Sequence, residues 1–272
     1  MKWFSILFSV FLATSALAQT PRDLLNESNA CLEKEDYVCA EAALLKLVKA
    51  DTKDPKLYLH YSNLGTIQRR LKKYDDAMKS YNKALKLNAQ DAAVYRNRAS
   101  LKRITNDLSG AVDDYNKAIR LDSTVAEAYN ERGMVYRDLN DLTSAEADLR
   151  KAISLDPSGF GPRSNLAILK KRHKRFEEAL QDFNQLIEEN PKEAVLYNNR
   201  ADTKMQLKDL DGALADINKA IELDGSYALG HATRGEVYKA MGKNDEACAD
   251  FKRSVDLGVN PKLIATYLEG CR

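Results

Sequence analysis

YDDAMKSYNKALKL (74–87) returns along the chain as LSGAVDDYNKAIRL (108–121) and LDGALADINKAIEL (210–223). One alanine of this stretch recurs every 34 residues, as Ala77, Ala111, Ala145, Ala179, Ala213 and Ala247. Self-similarity at this period is typical of stacked helical hairpins, in which each repeat packs only on its neighbours. The spacing therefore predicts an all-α chain with one antiparallel hairpin per repeat.

Six regular units follow from this spacing, at 58–91, 92–125, 126–159, 160–193, 194–227 and 228–261. Positions are numbered from one within each unit. A less regular unit with its connector occupies 19–57, which gives about seven hairpins. Position eight is always small, as Gly65, Ala99, Gly133, Ala167, Ala201 and Gly235. Because the recurrent alanine is the matching small residue of the second helix, we expect the two helices to approach closely.

The repeats resemble those of the tetratricopeptide repeat family over about residues 21–261. Tyrosine stands at the fourth position in Tyr61, Tyr95, Tyr129 and Tyr197, and a terminal proline in Pro157 and Pro191. The resemblance implies a right-handed superhelical solenoid whose first helices line a concave groove. In that family the groove commonly takes an extended peptide or a helix of a partner.

An arginine at position seven departs from the leucine that the family often has there. Four units carry this arginine together with an aspartate sixteen residues later, as Arg98 with Asp114, Arg132 with Asp148, Arg200 with Asp216, and Arg234 with Asp250. Partly buried arginines are usually paired, so we expect ion pairs that bridge the two helices of a hairpin. The unit with Leu166 breaks the rule, because it keeps Asp182.

The first eighteen residues have the layout of a secretory signal peptide. Met1-Lys2 is a positive start, WFSILFSVFL (3–12) is apolar, and Ala16-Leu17-Ala18 is a small-residue cleavage site. The sequence predicts cleavage after Ala18 and an exported protein, periplasmic or secreted, without stable membrane insertion. A retained anchor is the alternative, although the apolar run is short for a membrane span.

Four cysteines lie in two pairs, one near each end of the repeats. With an exported chain they favour disulfides Cys31–Cys39 and Cys248–Cys271 over the other two connectivities. Free buried thiols are the alternative. Asn260-Pro261 predicts the start of a C-terminal capping helix over 261–272, which covers the last hairpin.

Charge and motifs argue against several functional classes. Lys and Arg total 42 and Asp and Glu total 40, a balance that disfavours nucleic-acid binding through bulk positive charge. The sequence has no phosphate-binding glycine loop, HExxH or GxSxG motif, and its three histidines are scattered. We therefore predict no enzyme activity, no catalytic residue, no metal and no cofactor.

Candidate ligand-binding residues follow from the family resemblance, which places positions two, five, nine, twelve and thirteen in the groove. They are Arg69, Arg103, Arg137, Lys171 and Lys239 at position twelve, Arg70 and Arg172 at thirteen, and Arg96, Asn130 and Asn198 at five. The cations of this set, called the cationic row below, would attract an acidic segment. Alternatively, they only complement the C-terminal ends of the first helices.

These features predict a non-enzymatic, exported scaffold or adaptor that binds a peptide or protein segment in its groove. The alternative is a module that binds an anionic polysaccharide or another envelope polymer. The sequence identifies no particular partner.

Overall fold

The computed structural model describes residues 19–271, and within that range every regular element is helical. The predicted signal peptide lies outside the described residues. The helices form seven consecutive hairpins, in agreement with the predicted fold class: α1 Pro21–Glu33 and α2 Tyr37–Ala50, α3 Leu57–Arg70 and α4 Tyr74–Leu87, α5 Ala92–Ile104 and α6 Leu108–Leu121, α7 Ala126–Asp138 and α8 Leu142–Leu155, α9 Phe160–Arg172 and α10 Phe176–Glu189, α11 Ala194–Gln206 and α12 Leu210–Leu223, α13 Ala228–Ala240 and α14 Asn244–Asp256.

Two compact units divide the chain after Asn97. The first holds α1–α4 and the start of α5, around a core that includes Leu24, Leu44 and Leu64. The second holds the rest of α5 and all later helices. Its hydrophobic cores combine residues of one hairpin with residues of the first helix of the next hairpin. For example, Phe183 of α10 packs with Leu196 of α11. Each hairpin therefore depends on its neighbour for burial, as expected for stacked repeats.

Close helix contacts explain the recurrent small residues. The recurrent alanines are at most 2% exposed. A Cβ added at Gly65 would lie 2.8 Å from Cε1 of Tyr81, and one added at Gly235 would lie 2.7 Å from Cε1 of Phe251. Both distances are below van der Waals contact, so any larger residue at these positions would clash with the aromatic ring. A Cβ added at Gly133 would lie 3.2 Å from the backbone oxygen of Ala145, so in this hairpin the two small residues meet where the helices approach closely, as predicted.

The turn inside each hairpin has one residue in the left-handed backbone region. In the six regular units this residue is always at position fifteen. Its φ is +60° to +77°, at Lys72, Asn106, Asn140, Lys174, Lys208 and Gly242. Glycine adopts this conformation without a Cβ penalty, and asparagine tolerates it better than lysine does. Three turns therefore hold a lysine in a conformation that disfavours it.

The predicted arginine–aspartate pairs are present in all four hairpins. In each, Nε and Nη2 of the arginine donate to the two carboxylate oxygens at 2.6–2.8 Å. In the hairpins of Arg132, Arg200 and Arg234, Nη1 also donates to an asparagine of the preceding hairpin, namely Asn116, Asn184 and Asn218. The exception at Asp182 has a simple cause, because Nζ of Lys170 binds that carboxylate at 2.6 Å.

Both cysteine pairs have their sulfur atoms at bonding distance, in the connectivity that the sequence favoured. The C-terminal segment begins at Pro261 as predicted, but its first turn, Pro261–Ile264, is a 3₁₀ helix, and the helix α15 covers only Ala265–Leu268. The ring of Tyr267 stacks on Phe251 with centroids 4.7 Å apart. The segment thus covers part of the last hairpin and is tied to it by Cys248–Cys271.

Candidate functional site

The candidate residues lie on first helices, and each compact unit presents its own set. The first-unit surface comprises Arg69, Arg70 and Arg96 with the residues around them. The second-unit surface comprises the candidates from Arg103 to Lys239.

A small cavity marks the first-unit surface. Nη1 of Arg70 donates to the hydroxyl of Tyr37 at 3.1 Å, and its guanidinium lies 5.2 Å from the centroid of that ring. The two residues line a cavity of about 350 Å³ together with Leu32, Asn63, Thr66 and Ile67. The tyrosine therefore holds an exposed cation beside a pocket with both polar and apolar walls.

Arg69 and Arg96 lie half-buried on the same surface. Burial raises the pKa of Tyr81, and hydrogen bonds from Thr66 and the nearby charge of Arg69 partly offset it. Arg70 and Arg96 form no ion pair with the described residues of the first unit. Positive charge is therefore available on this surface.

On the second-unit surface, two candidate arginines share one aspartate. Nε of Arg103 lies 2.7 Å from Oδ2 of Asp138, and Nη2 of Arg137 lies 3.0 Å from Oδ1. Burial alone would raise the pKa of Asp138, but the hydrogen bonds and charges of both arginines outweigh it and keep that pKa below its ordinary value. The carboxylate is thus ionised at neutral pH and offsets part of the positive charge.

Lys171 is neutralised in the same way by the next first helix. Its Nζ lies 2.5 Å from Oδ2 of Asp202 and 3.4 Å from Oδ1 of Asn199. Asn130 is also bound from a neighbouring helix, because Nδ2 of Asn165 donates to its Oδ1 at 2.9 Å. These bonds join α7, α9 and α11 through side chains, which fixes the polar groups of the surface in place.

The remaining candidates differ in their surroundings. Nζ of Lys239 lies 4.7 Å from the ring centroid of Tyr267. Arg172 is exposed and forms no ion pair with the described residues 98–271. Oδ1 of Asn198 is buried and has no hydrogen-bond partner among the described residues. The cations of the second unit therefore do not form one free row.

Sequence reasoning missed the acidic residues that accompany the cationic row. Asp138 stands at position thirteen, and Asp202 and Glu236 at position nine, all within the positions that the resemblance assigns to the groove. Their positions within the repeat are the signal that would have identified these acidic residues, since cations and amides at the same positions are candidates. The charge pattern of the second-unit surface is mixed rather than uniformly positive.

A metal site or a membrane-spanning helix would be recognisable within residues 19–271. No group of three or more histidine, cysteine, aspartate or glutamate side chains in this range could hold a metal ion. None of the described helices has the length and apolar character needed to cross a membrane.

Comparisons with known proteins give one consistent result. Three family models, each described as tetratricopeptide repeat, match residues 59–91, residues 126–158 and 230–257, and residues 165–228. No curated protein sequence matches the chain.

Solved structures extend this result to most of the chain. A tetratricopeptide repeat protein from Parabacteroides merdae is 31% identical with a TM-score of 0.80, over 92% of this chain and 98% of that one. Cut9 in the APC/C hetero-tetramer Cut9–Hcn1 is similar at 18% identity and a TM-score of 0.71, over 92% of this chain and 52% of the other. YrrB, a protein with an unusual peptide-binding site, is 23% identical with a TM-score of 0.50, over 70% of this chain and 97% of its own.

Proposed function

We propose that this chain, which belongs to the tetratricopeptide repeat family, is a non-enzymatic scaffold that holds a polypeptide segment on its first helices. Proteins of this family bind protein or peptide partners. YrrB, which shares the fold, has a peptide-binding site by description. The proposal for this chain rests on its own side chains.

One observation carries the proposal: polar side chains join consecutive first helices across the second-unit surface. Arg103 bonds to Asp138, Asn165 to Asn130, and Lys171 to Asp202. Groups held in this way lose little further conformational freedom when a ligand binds, so more of the contact energy appears as affinity.

The first-unit surface supports an acidic segment as the ligand. Arg70 stands beside the cavity of about 350 Å³, and its hydroxyl partner Tyr37 orients the guanidinium. A guanidinium binds a carboxylate through two parallel hydrogen bonds. Arg103 and Arg137 already bind Asp138, so an acidic ligand would gain less there.

Export to the periplasm or the exterior is the second part of the proposal. Two cysteine pairs at bonding distance are compatible with an oxidising compartment, where disulfides persist. N-terminal sequencing of protein secreted by its native host tests this part. A mature chain that starts at Gln19 is expected, and a chain that still starts at Met1 would contradict it.

Site-specific photo-crosslinking in the native host tests the binding surface. A crosslinking residue at Asn63 or Val195, both exposed on first helices, should capture a protease-sensitive partner. The matched control is Lys79, exposed on the second helix α4, where little adduct is expected. Equal adducts at all three sites, or none, would refute the proposed surface. An adduct resistant to protease but sensitive to glycosidase would instead support the anionic-polysaccharide alternative.

A further inference from the structure

Two carboxylates occupy the same position on neighbouring first helices of the second unit. Asp202 lies on α11 and Glu236 on α13, each at position nine, and the two helices are in contact. Asp202 is paired with Lys171. Glu236 forms no ion pair with any of residues 98–271, and the nearby hydroxyl of Tyr267 on α15 offsets only part of the rise in the pKa of its carboxyl.

The surroundings of Glu236 make its negative charge unfavourable. Burial raises the pKa of its carboxyl, and the charge of Asp202 raises it further. Lys239, one turn along α13, is exposed and has its ammonium over the ring of Tyr267, without an ion pair to the glutamate. The carboxylate therefore lacks the cation that a partly buried charge normally has.

A third acceptor lies one helical turn before Asp202. Oδ1 of Asn198 is buried and unpartnered among the described residues, an arrangement that is uncommon in folded proteins. Glu236 lacks a cation and Oδ1 of Asn198 lacks a donor, so these two acceptors are open to a ligand. A ligand that satisfies both must bring N–H donors and positive charge.

Exposed aliphatic side chains line the same helices. Val195 on α11 and Leu229 on α13 are 34 residues apart and are 40% and 57% exposed. On α11, Val195 precedes Asp202 by seven residues, and on α13 Leu229 precedes Glu236 by the same number, so each pair shares one helix face. The surface thus offers an apolar strip beside the carboxylates.

We infer that α11 and α13 bind a polypeptide segment in which a lysine or arginine lies next to aliphatic residues. The basic group binds Glu236, donates to Asn198, and offsets the repulsion that Glu236 experiences from Asp202, whose own cation is Lys171. The aliphatic neighbours of that basic residue cover Val195 and Leu229. The inference rests on the proposed function and names the chemistry of the partner at this end of the surface.

Fluorescence anisotropy with defined peptides tests it. The probe is a fluorescein-labelled peptide of three Gly-Leu-Arg repeats, compared with its citrulline counterpart, which has a similar shape and no charge. We expect the arginine peptide to bind about tenfold more tightly, equivalent to about 1.4 kcal/mol. Glu236→Gln should remove this preference, while Glu222→Gln, the same charge change at an exposed site on α12, should leave it within about twofold.

Three results would overturn the inference: equal binding of both peptides, an unchanged preference in Glu236→Gln, or equal weakening by Glu222→Gln. Far-UV circular dichroism confirms that each variant is folded. The photo-crosslinking experiment separates the two proposals. Partner adducts at Asn63 and Val195 without any arginine preference would refute this inference alone, whereas absence of adducts would refute the proposed function.

Discussion

The left-handed turn residues give a prediction whose size follows from the backbone. Lys208 has φ of +66° and Gly242, at the same position of the next hairpin, has φ of +77°. The left-handed region costs a residue with a Cβ about 1–2 kcal/mol, while glycine loses about 0.5–1 kcal/mol more chain entropy on folding. The difference predicts that Lys208→Gly stabilises the protein by about 0.5–1 kcal/mol.

The reverse change should have the opposite sign. A Cβ added at Gly242 meets no atom within 4 Å, so Gly242→Ala tests backbone strain without a steric clash. We expect it to destabilise the protein by about 0.5–1 kcal/mol. The matched control is Lys208→Ala, which removes the charge of the lysine but keeps the Cβ.

Thermal unfolding followed by circular dichroism measures these effects, since 1 kcal/mol shifts the midpoint of a chain of this size by about 2–4 °C. Urea unfolding at constant temperature provides a second measurement and reveals any loss of cooperativity, which occurs in repeat proteins. If Lys208→Ala stabilises as much as Lys208→Gly, the gain comes from the lost charge and the backbone argument fails. If Gly242→Ala is neutral, the turn has no strain to release.

Three further predictions concern charge and the C-terminal segment. Arg132→Ala should lower the free energy of unfolding by about 3 kcal/mol, because it leaves the buried Asp148 without a cation. Arg200→Ala should lower it less, because Lys204 still binds Asp216 at 2.8 Å. Equal shifts of the urea midpoint in the two variants would contradict this prediction. Burial and a nearby carboxylate raise the pKa of Glu236 in the folded protein. The folded state therefore binds more protons than the unfolded state, and stability should fall as the pH rises from 4.5, the ordinary pKa of a glutamate, through the raised pKa. Glu236→Gln should lack this loss in unfolding measured across pH, and an unchanged profile would exclude the glutamate as its source. Cys271→Ser, which opens a loop of sequence separation 23, should lower stability by about 3 kcal/mol because the unfolded chain gains conformational entropy. Reducing agent should then destabilise the wild type by about 3 kcal/mol more than the variant, in which only Cys31–Cys39 is left to reduce, and equal losses in the two proteins would contradict this.

The repeat spacing was sufficient to predict the hairpins, because periodicity and small residues report directly on helix packing. It also predicted the arginine–aspartate pairs, since the two residue types recur together. It could not explain why Asp182 persists beside Leu166. The structure shows that Lys170 replaces the missing arginine from the next turn of α9, a substitution that position-by-position comparison does not detect.

The turns show a different limit of the sequence. Glycine or asparagine at position fifteen signals a left-handed residue, but Lys72, Lys174 and Lys208 have no such signature. There the packing of the two helices imposes the conformation on an unfavourable residue. Local preference therefore misses part of the backbone where tertiary contacts determine it.

The proposed binding surface was the least predictable part, because the role of a charged residue depends on its neighbours. Position twelve alone suggests uniform positive charge, yet Arg103, Arg137 and Lys171 are bound by aspartates of the first helices. A charge that the protein itself neutralises contributes little to attracting a ligand, whereas an unpaired charge keeps most of its interaction energy for one.

This distinction assigns opposite preferences to the two units. In the first, Arg70 has a tyrosine partner and no carboxylate within the described residues of its unit, so it favours an anionic group. In the second, Glu236 has no cation among residues 98–271, so we propose that it favours a basic group. A charge without an opposite partner in its own unit keeps most of its interaction energy for a ligand. We therefore propose that a partner is selected through the residues that break the charge balance of the repeats.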